Sequence, residues 1–154
     1  MSPAAPQLEF AFEAVVEIGA PLDLGLTGSG RRRIIPIHGG RFEGPAIRGR
    51  ILRGGADWQI VRDDGSAELD ARYTLETDRG ALIYVVNRGM RQGPPDVLEK
   101  LNAGEPVDPG SYYFRTIPSF ETSADECEWL TRALFLGVGE RRPDGVTVRF
   151  WKIL

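Results

Sequence analysis

Asp70 and Arg72 stand two residues apart in Leu69-Asp-Ala-Arg-Tyr-Thr, and Asp57 stands beside Trp58 in Gly54-Gly-Ala-Asp-Trp-Gln. On an extended strand, residues i and i+2 share a face. Asp70 and Arg72 therefore offer a proton acceptor and a cation side by side, either paired with each other or holding a ligand carboxylate, phenol or enolate. A carboxylate enclosed against an aromatic ring loses hydration, its pKa rises, and it takes or gives a proton near neutral pH. That is acid/base chemistry without a cofactor. Asp70 and Asp57 are the candidate bases, with Arg72 and Asn87 as oxyanion stabilisers. The structural alternatives are plain: Asp57 anchors an Asx turn or bulge where a Gly-rich turn enters a strand, and Asp70 does no more than pair with Arg72.

A pocket for such chemistry is mostly apolar, with a few placed polar groups. Trp58, Tyr113 and Trp129 supply flat walls, Arg115 shares a strand face with Tyr113, Thr74 shares one with Asp70 and Arg72, and His38 lies at a strand end after Ile34-Ile-Pro-Ile. These six are the candidate ligand-binding residues, although the aromatics also suit a core and a single His also suits a surface. Other chemistries lose their footing. One cysteine, Cys127, and one histidine cannot build a disulfide or a zinc site, so no metal is expected. Cys127 lies between Glu126 and Glu128, which disfavour its thiolate, and Gly-x-Ser-x-Gly is absent. Gly25, Gly28 and Gly30 do not have dinucleotide-fingerprint spacing, so no nucleotide cofactor is expected. A net charge of −3 argues against a nucleic-acid face. The run Arg31-Arg32-Arg33 reads either as a solvated strand edge or as an anion clamp.

The elements that must position these residues are strands. The 154 residues fit one domain. No stretch free of Asp, Glu, Lys and Arg exceeds eight residues, far short of a spanning helix, and the N-terminus has neither a basic nor an apolar targeting region. A cytoplasmic protein without membrane contact is expected. Nineteen Gly and eleven Pro divide the chain into short runs rich in Val, Ile, Leu, Tyr and Phe, which read as strands. Leu8 to Ile18 opens with Leu8, Phe10 and Phe12 alternating against Glu9, Ala11 and Glu13. Pro94 to Gly104 reads as a helix with Pro at its start and Gly at its end, and Asp125 to Thr131 as a second, shorter one. The clearest hairpin spans Ser66 to Arg88. With Asp78-Arg79 as its two-residue loop, Thr74 faces Ile83, Arg72 faces Val85 and Asp70 faces Asn87. That register gives one mixed face carrying Asp70, Arg72, Thr74, Ile83, Val85 and Asn87, and one dry face carrying Leu69, Ala71, Tyr73, Leu75, Leu82, Tyr84 and Val86. The mixed face suits either a wet ligand cavity or solvent. A slip of one residue in either strand exchanges that strand's faces. The expected fold is all-β in the main: an antiparallel β-barrel of about eight to ten strands with one or two short helices, residues 1–7 loose and 8–154 a single domain.

Four ordered segments carry a family resemblance: Arg31-Arg-Arg-Ile-Ile-Pro-Ile-His-Gly-Gly-Arg-Phe-Glu-Gly-Pro, Gly54-Gly-Ala-Asp-Trp-Gln, Ala67-Glu-Leu-Asp-Ala-Arg-Tyr-Thr-Leu-Glu-Thr and Tyr112-Tyr-Phe-Arg-Thr. From about Leu8 onward the chain resembles the domain-of-unknown-function family DUF3237, also called UPF0311. It departs from that family's pattern at His38, where the family has Thr. The resemblance implies a small antiparallel β-barrel and no assigned reaction. The reading at this point is a barrel whose interior binds a small, largely hydrophobic or aromatic molecule, as a cofactor-independent lyase or isomerase or, alternatively, as a non-catalytic carrier. A homo-oligomer, such as a dimer joined through the dry hairpin face, is expected.

Overall fold

The computed structural model describes residues 1–154. Its strands are β1 (Leu8–Ile18), β2 (Leu22–Thr27), β3 (Gly30–Glu43), β4 (Arg48–Ile51), β5 (Gly55–Val61), β6 (Ala67–Thr77), β7 (Leu82–Gln92), β8 (Tyr113–Glu121), β9 (Phe135–Arg142) and β10 (Gly145–Ile153). One α-helix, α1 (Pro95–Asn102), and two 3-10 helices, Pro109–Ser111 and Asp125–Thr131, lie between strands. No helix is long and apolar enough to cross a membrane.

Every pairing in the sheet is antiparallel. β1 and β2 both pair with β3 and act as two halves of one long strand, broken at Gly19-Ala20-Pro21. β4 and β5 both sit between β3 and β6, as halves broken at Leu52-Arg53-Gly54. The wall thus has eight positions in chain order, and β10 returns to pair with β1 from Glu17↔Gly145 to Leu8↔Ile153. An even number of positions lets an up-and-down sheet close with antiparallel neighbours throughout, which removes its exposed edges except along β2, paired with β3 alone. The expected antiparallel barrel is the observed fold. Closure requires close approach where β3 bends. Gly40 has φ +136°, and a Cβ there would overlap the Val15 carbonyl.

One half of the interior is filled. Phe12, Phe42, Phe135, Phe150, Leu75 and Ile83 are fully buried, with ring centroids 4.8 Å apart for Phe12 and Phe150 and 5.3 Å for Phe120 and Phe135. Cys127 and Leu130 of the second 3-10 helix join this cluster and plug that end. At the other end Leu98 and Leu101, three residues apart on α1, pack with Ala67, Leu69, Tyr112 and Phe114. Between the two clusters the barrel keeps a cavity.

Two local expectations are corrected. In β1 the register against β10 shifts between Phe10 and Phe12, so a bulge at Ala11 turns Phe10 outward onto Trp151 and Phe12 inward onto Phe150. The expected face of Leu8, Phe10 and Phe12 is therefore divided. In the β6–β7 hairpin the loop has three residues, Asp78-Arg79-Gly80. Thr77 N donates to Ala81 O at 2.9 Å, and Gly80 closes the turn at φ +86°. Leu75 then faces Ile83, Tyr73 faces Val85, Ala71 faces Asn87 and Asp70 faces Arg88, one residue off the expected register. Leu69, Ala71, Tyr73 and Leu75 turn inward with Ile83, Val85 and Asn87. Asp70, Arg72 and Thr74 turn outward with Leu82, Tyr84 and Val86. The anticipated dry face does not exist as one surface, so it supplies no interface for a dimer.

Nothing lies within 4 Å of a Cβ placed on Gly80, so its requirement is conformational alone. Gly80→Ala is expected to lower stability by about 1–2 kcal/mol, and Gly80→Asn by less, because Asn tolerates the left-handed region. Urea unfolding midpoints of the two variants check the loop; an unchanged midpoint for Gly80→Ala would contradict this turn.

Candidate functional site

Alternation along each strand builds the cavity wall. Asp57 and Gln59 point inward from β5, Asn87 and Arg91 from β7, Phe114 and Thr116 from β8, and Arg141 from β9. Apolar side chains complete the lining, among them Ile18, Ile35, Ile37, Val146 and Val148, with Ile35 beside Asp57 and Val146 beside Arg141 across the strand pairs. Gly137 and Gly139 alternate inward ahead of Arg141. A Cβ on Gly139 would overlap the Phe114 ring, and one on Gly137 would overlap Thr116 Oγ1, so the missing side chains give those two residues room. The cavity measures about 70 Å³. Larger clefts of about 420 to 580 Å³ are broad indentations of the outer surface and do not gather buried polar groups.

Asp57 sits where the β5–β6 ladder opens. Its Oδ1 accepts the Asp70 backbone N–H at 2.9 Å and its Oδ2 accepts Gln59 Nε2 at 3.2 Å. Enclosure of the carboxyl group raises its pKa above the ordinary 3.8; the two hydrogen bonds and the Arg91 charge oppose this without cancelling it. The Tyr73 hydroxyl, also in the wall, is pushed well above its ordinary value by burial, which leaves it a neutral group. Arg91 is 5% exposed. Its Nη2 donates to Asn102 Oδ1 at 2.8 Å, and Asn102 Nδ2 donates to Gly65 O at 3.2 Å, so the last turn of α1 and the turn before β6 fix the guanidinium. Burial, with Arg141 and Arg33 nearby, pulls the Arg91 pKa down to about 10. Arg141 Nη1 donates to the carbonyls of Arg142 and Gly145 at 2.6 and 2.8 Å, and its backbone N–H donates to Tyr112 Oη at 2.9 Å.

Four buried side-chain atoms find no partner among the protein's own groups: Gln59 Oε1, Asn87 Oδ1, Arg91 Nε and Thr116 Oγ1. All four belong to residues of this one cavity wall. Leaving a buried polar atom unsatisfied costs about 1–3 kcal/mol, so these four are open hydrogen-bonding positions for water or another polar group. They offer two acceptors, one cationic donor and a hydroxyl that can be either. One carboxylate among arginines is a donor set for an anion or a carbonyl rather than for a metal cation, and no group of three or more His, Cys, Asp or Glu has metal-binding geometry.

Of the residues singled out from sequence, only Asp57 and Asn87 line the cavity. Asp70 and Arg72 pair with each other outside the barrel at 3.2 Å, and Arg88 approaches Asp70 at 3.5 Å, an exposed cluster that solvent screens. Thr74 shares that outer face. Trp58 is 38% exposed on the outside, with its carbonyl taken by Arg32. Tyr113 is 45% exposed and stacks under Arg115 at 5.3 Å. His38 is exposed beside Gly19. Trp129 packs on Phe135 at the filled end. Sequence reasoning missed Gln59, Arg91, Thr116 and Arg141. The signal was there for two of them: Gln59 follows Asp57 by two and Arg91 follows Asn87 by four, on the same strand faces.

The model of the family described as "Protein of unknown function (DUF3237)" matches residues 6–153. A UPF0311 protein of Rhodopseudomonas palustris is 46% identical over 151 residues, covering 97% of this chain and 99% of that one. A UPF0311 protein of Clostridium acetobutylicum is 42% identical over 146 residues, covering 94% and 92%. Among solved structures, a conserved protein of unknown function from R. palustris superposes with TM-score 0.93 at 43% identity over 100% of both chains. A β-barrel-like protein from Acinetobacter baumannii gives 0.87 at 43% identity over 99% of both. A protein from Penicillium herquei described as an enzyme gives 0.75 at 22% identity, covering 100% of this chain and 98% of that one, a likeness of fold alone.

The raised Asp57 pKa has a signed consequence for stability. Between 3.8 and the folded-state value, the native chain holds a proton that the unfolded chain has released. This contribution is fully present below 3.8 and is lost as pH rises through the folded-state pKa. Asp57→Asn, which cannot titrate, is expected to flatten that part of the stability-pH curve in urea unfolding across pH 3–8. A slope identical to wild type would show that Asp57 titrates as an ordinary carboxyl.

Proposed function

The chain belongs to the DUF3237 family, and on that premise we propose that its barrel binds a small organic molecule and acts on it by acid/base chemistry without a cofactor, as a lyase or isomerase. The observation that supports this most is the convergence of four unpartnered buried polar atoms on one cavity that also holds an enclosed carboxyl group of raised pKa. In this reading Asp57 is the base. It takes a proton from the carbon beside a carbonyl, and the oxyanion that forms is met by Arg91 Nε–H and Thr116 Oγ–H. Asn87 Oδ1 and Gln59 Oε1 accept hydrogen bonds from the ligand and orient it. Returning the proton to a different carbon completes an isomerisation; delivering it to a leaving group on the adjacent carbon completes an elimination.

At about 70 Å³ the cavity is well below the roughly 300–1,000 Å³ of a pocket for a drug-sized molecule, so it receives the reacting end of its ligand. The wall is unpaired between β2, which pairs only with β3, and the β9–β10 turn, because β10 stops pairing with β1 at Glu17. The rest of a longer ligand leaves through that gap, past Ile18 and Val146. The expected hydrophobic character of the ligand matches the apolar part of the lining.

Proton NMR in D2O tests the reading without knowledge of the natural substrate. Pyruvate, 2-oxobutyrate, acetoacetate and cyclopentanone serve as probes of exchange beside a carbonyl. Wild type is expected to speed exchange in those that bind, and Asp57→Asn to lower that rate by about 10²–10⁴ while Asp70→Asn leaves it unchanged. Saturable binding without exchange would instead identify a carrier.

A further inference from the structure

Nine arginines are in ion pairs with carboxylates on the outside of the barrel: Arg31, Arg48, Arg50, Arg62, Arg72, Arg88, Arg132, Arg142 and Arg149. Eight are in none, and of those eight Arg33, Arg91 and Arg141 lie close enough to act on one another's charge. We propose that these three form an anion clamp across the α1 end of the cavity, and that the molecule bound there is a small organic acid, held as its anion with its apolar end against Ile18, Ile35 and Val146. This rests on the reading of the cavity as the ligand site and adds the ligand's charge and class to it.

The three cations come from three sides of the wall. Arg33 precedes Ile35 and Ile37 on the inward face of β3 and lies opposite Gln59 in the register. Arg91 lies opposite Phe114, and Arg141 opposite Val146. The run Arg31-Arg32-Arg33 is thereby divided by strand alternation. Arg31 goes to Asp23, Arg32 to the Trp58 carbonyl, and only Arg33 is left for the interior. Against three cations stand two carboxyl groups, Asp57 near Arg91 and Asp144 near Arg141, and neither is in an ion pair with them. Arg91 and Arg141 are both depressed by burial and by neighbouring arginines, Arg33 among them, as expected of like charges held together at low hydration. Tethering through Asn102 holds Arg91 in place against that repulsion, and its Nε–H still has no acceptor. A carboxylate or enolate supplies the missing charge and that acceptor together. The apolar remainder of the lining and the small volume select an organic anion over a bare inorganic one.

Isothermal titration of wild type, Arg33→Gln, Arg141→Gln, Arg91→Gln and Asp57→Asn with three probes tests this. Butyrate carries the charge and an apolar end, butyramide is its neutral counterpart, and inorganic phosphate is an anion with no apolar end. Wild type is expected to bind butyrate saturably and at least about 30-fold tighter than butyramide. Arg33→Gln and Arg141→Gln, at partly exposed positions, are each expected to weaken butyrate several-fold without changing butyramide. Arg91→Gln, if it folds, should abolish the preference. Asp57→Asn should bind butyrate as well as wild type or better. Equal binding of butyrate and butyramide, butyrate binding insensitive to Arg33 and Arg141, or no saturable butyrate binding would overturn the clamp. Phosphate binding as tight as butyrate would overturn the organic-acid assignment. Loss of exchange activity in Asp57→Asn bears on catalysis alone, so the clamp and the catalytic reading fail separately.

Discussion

Closure of the wall by β10 against β1 is the constraint from which the rest of the structure follows. A closed sheet satisfies its backbone polar groups strand to strand and leaves every second side chain facing a space that water cannot freely enter. Inward residues must then either pack against one another or find a guest. Eight antiparallel positions enclose only enough room for one layer of large side chains across the barrel, so a ring of Phe fills a half outright. Each such ring, moved from water to the interior, contributes about 1.5–3 kcal/mol.

The other half departs from that solution. Where a stable barrel would continue with Val, Leu and Phe, β5, β7 and β8 turn Asp57, Gln59, Asn87, Arg91 and Thr116 inward. Their partial satisfaction by one another costs stability, which the filled half and the cap made by α1 offset. Structure that breaks the packing rule while the rest of the chain obeys it marks a functional surface. The same contrast appears in the charges. Outside, arginines meet carboxylates in solvent, where pairing is worth little. Inside, Arg91 and Arg141 form no ion pair although Asp57 shares their cavity, where an unmatched charge matters most.

α1 and the turns around it connect fold to site. Leu98 and Leu101 anchor the helix on β6 and β8 residues, and its last residue, Asn102, holds the Arg91 guanidinium. A helix that looks like a simple crossover between β7 and β8 therefore also positions the most deeply buried cation in the molecule. β2 has a comparable double role: by leaving the wall after Gly19-Ala20-Pro21 it pairs β3 alone, and the barrel stays open beside Arg141.

The sequence by itself determined the kind of structure. Short apolar runs divided by Gly and Pro, one Pro-started helix, and strands at both ends of the chain specify an antiparallel barrel, and the ordered motifs from Arg31 to Thr116 specify the family. It also placed Asp57 among the candidates, as a carboxylate where a Gly-rich turn enters a strand, and Asn87 through a hairpin register opposite Asp70 that the structure replaces with Ala71. Which residues share the interior was decided by tertiary structure. One extra loop residue, Gly80, takes Asp70, Arg72 and Thr74 off the face they were expected to share with Ile83, Val85 and Asn87 and turns them to solvent, since alternation has period two and a single slip inverts it. One extra residue at Ala11 does the same within β1. Arg33, Arg91 and Arg141 are scattered over more than a hundred positions, and no local spacing relates them. Only closure of the sheet brings β3, β7 and β9 around a common axis, with Arg91 and Arg141 in the wall of one small cavity and Arg33 near them.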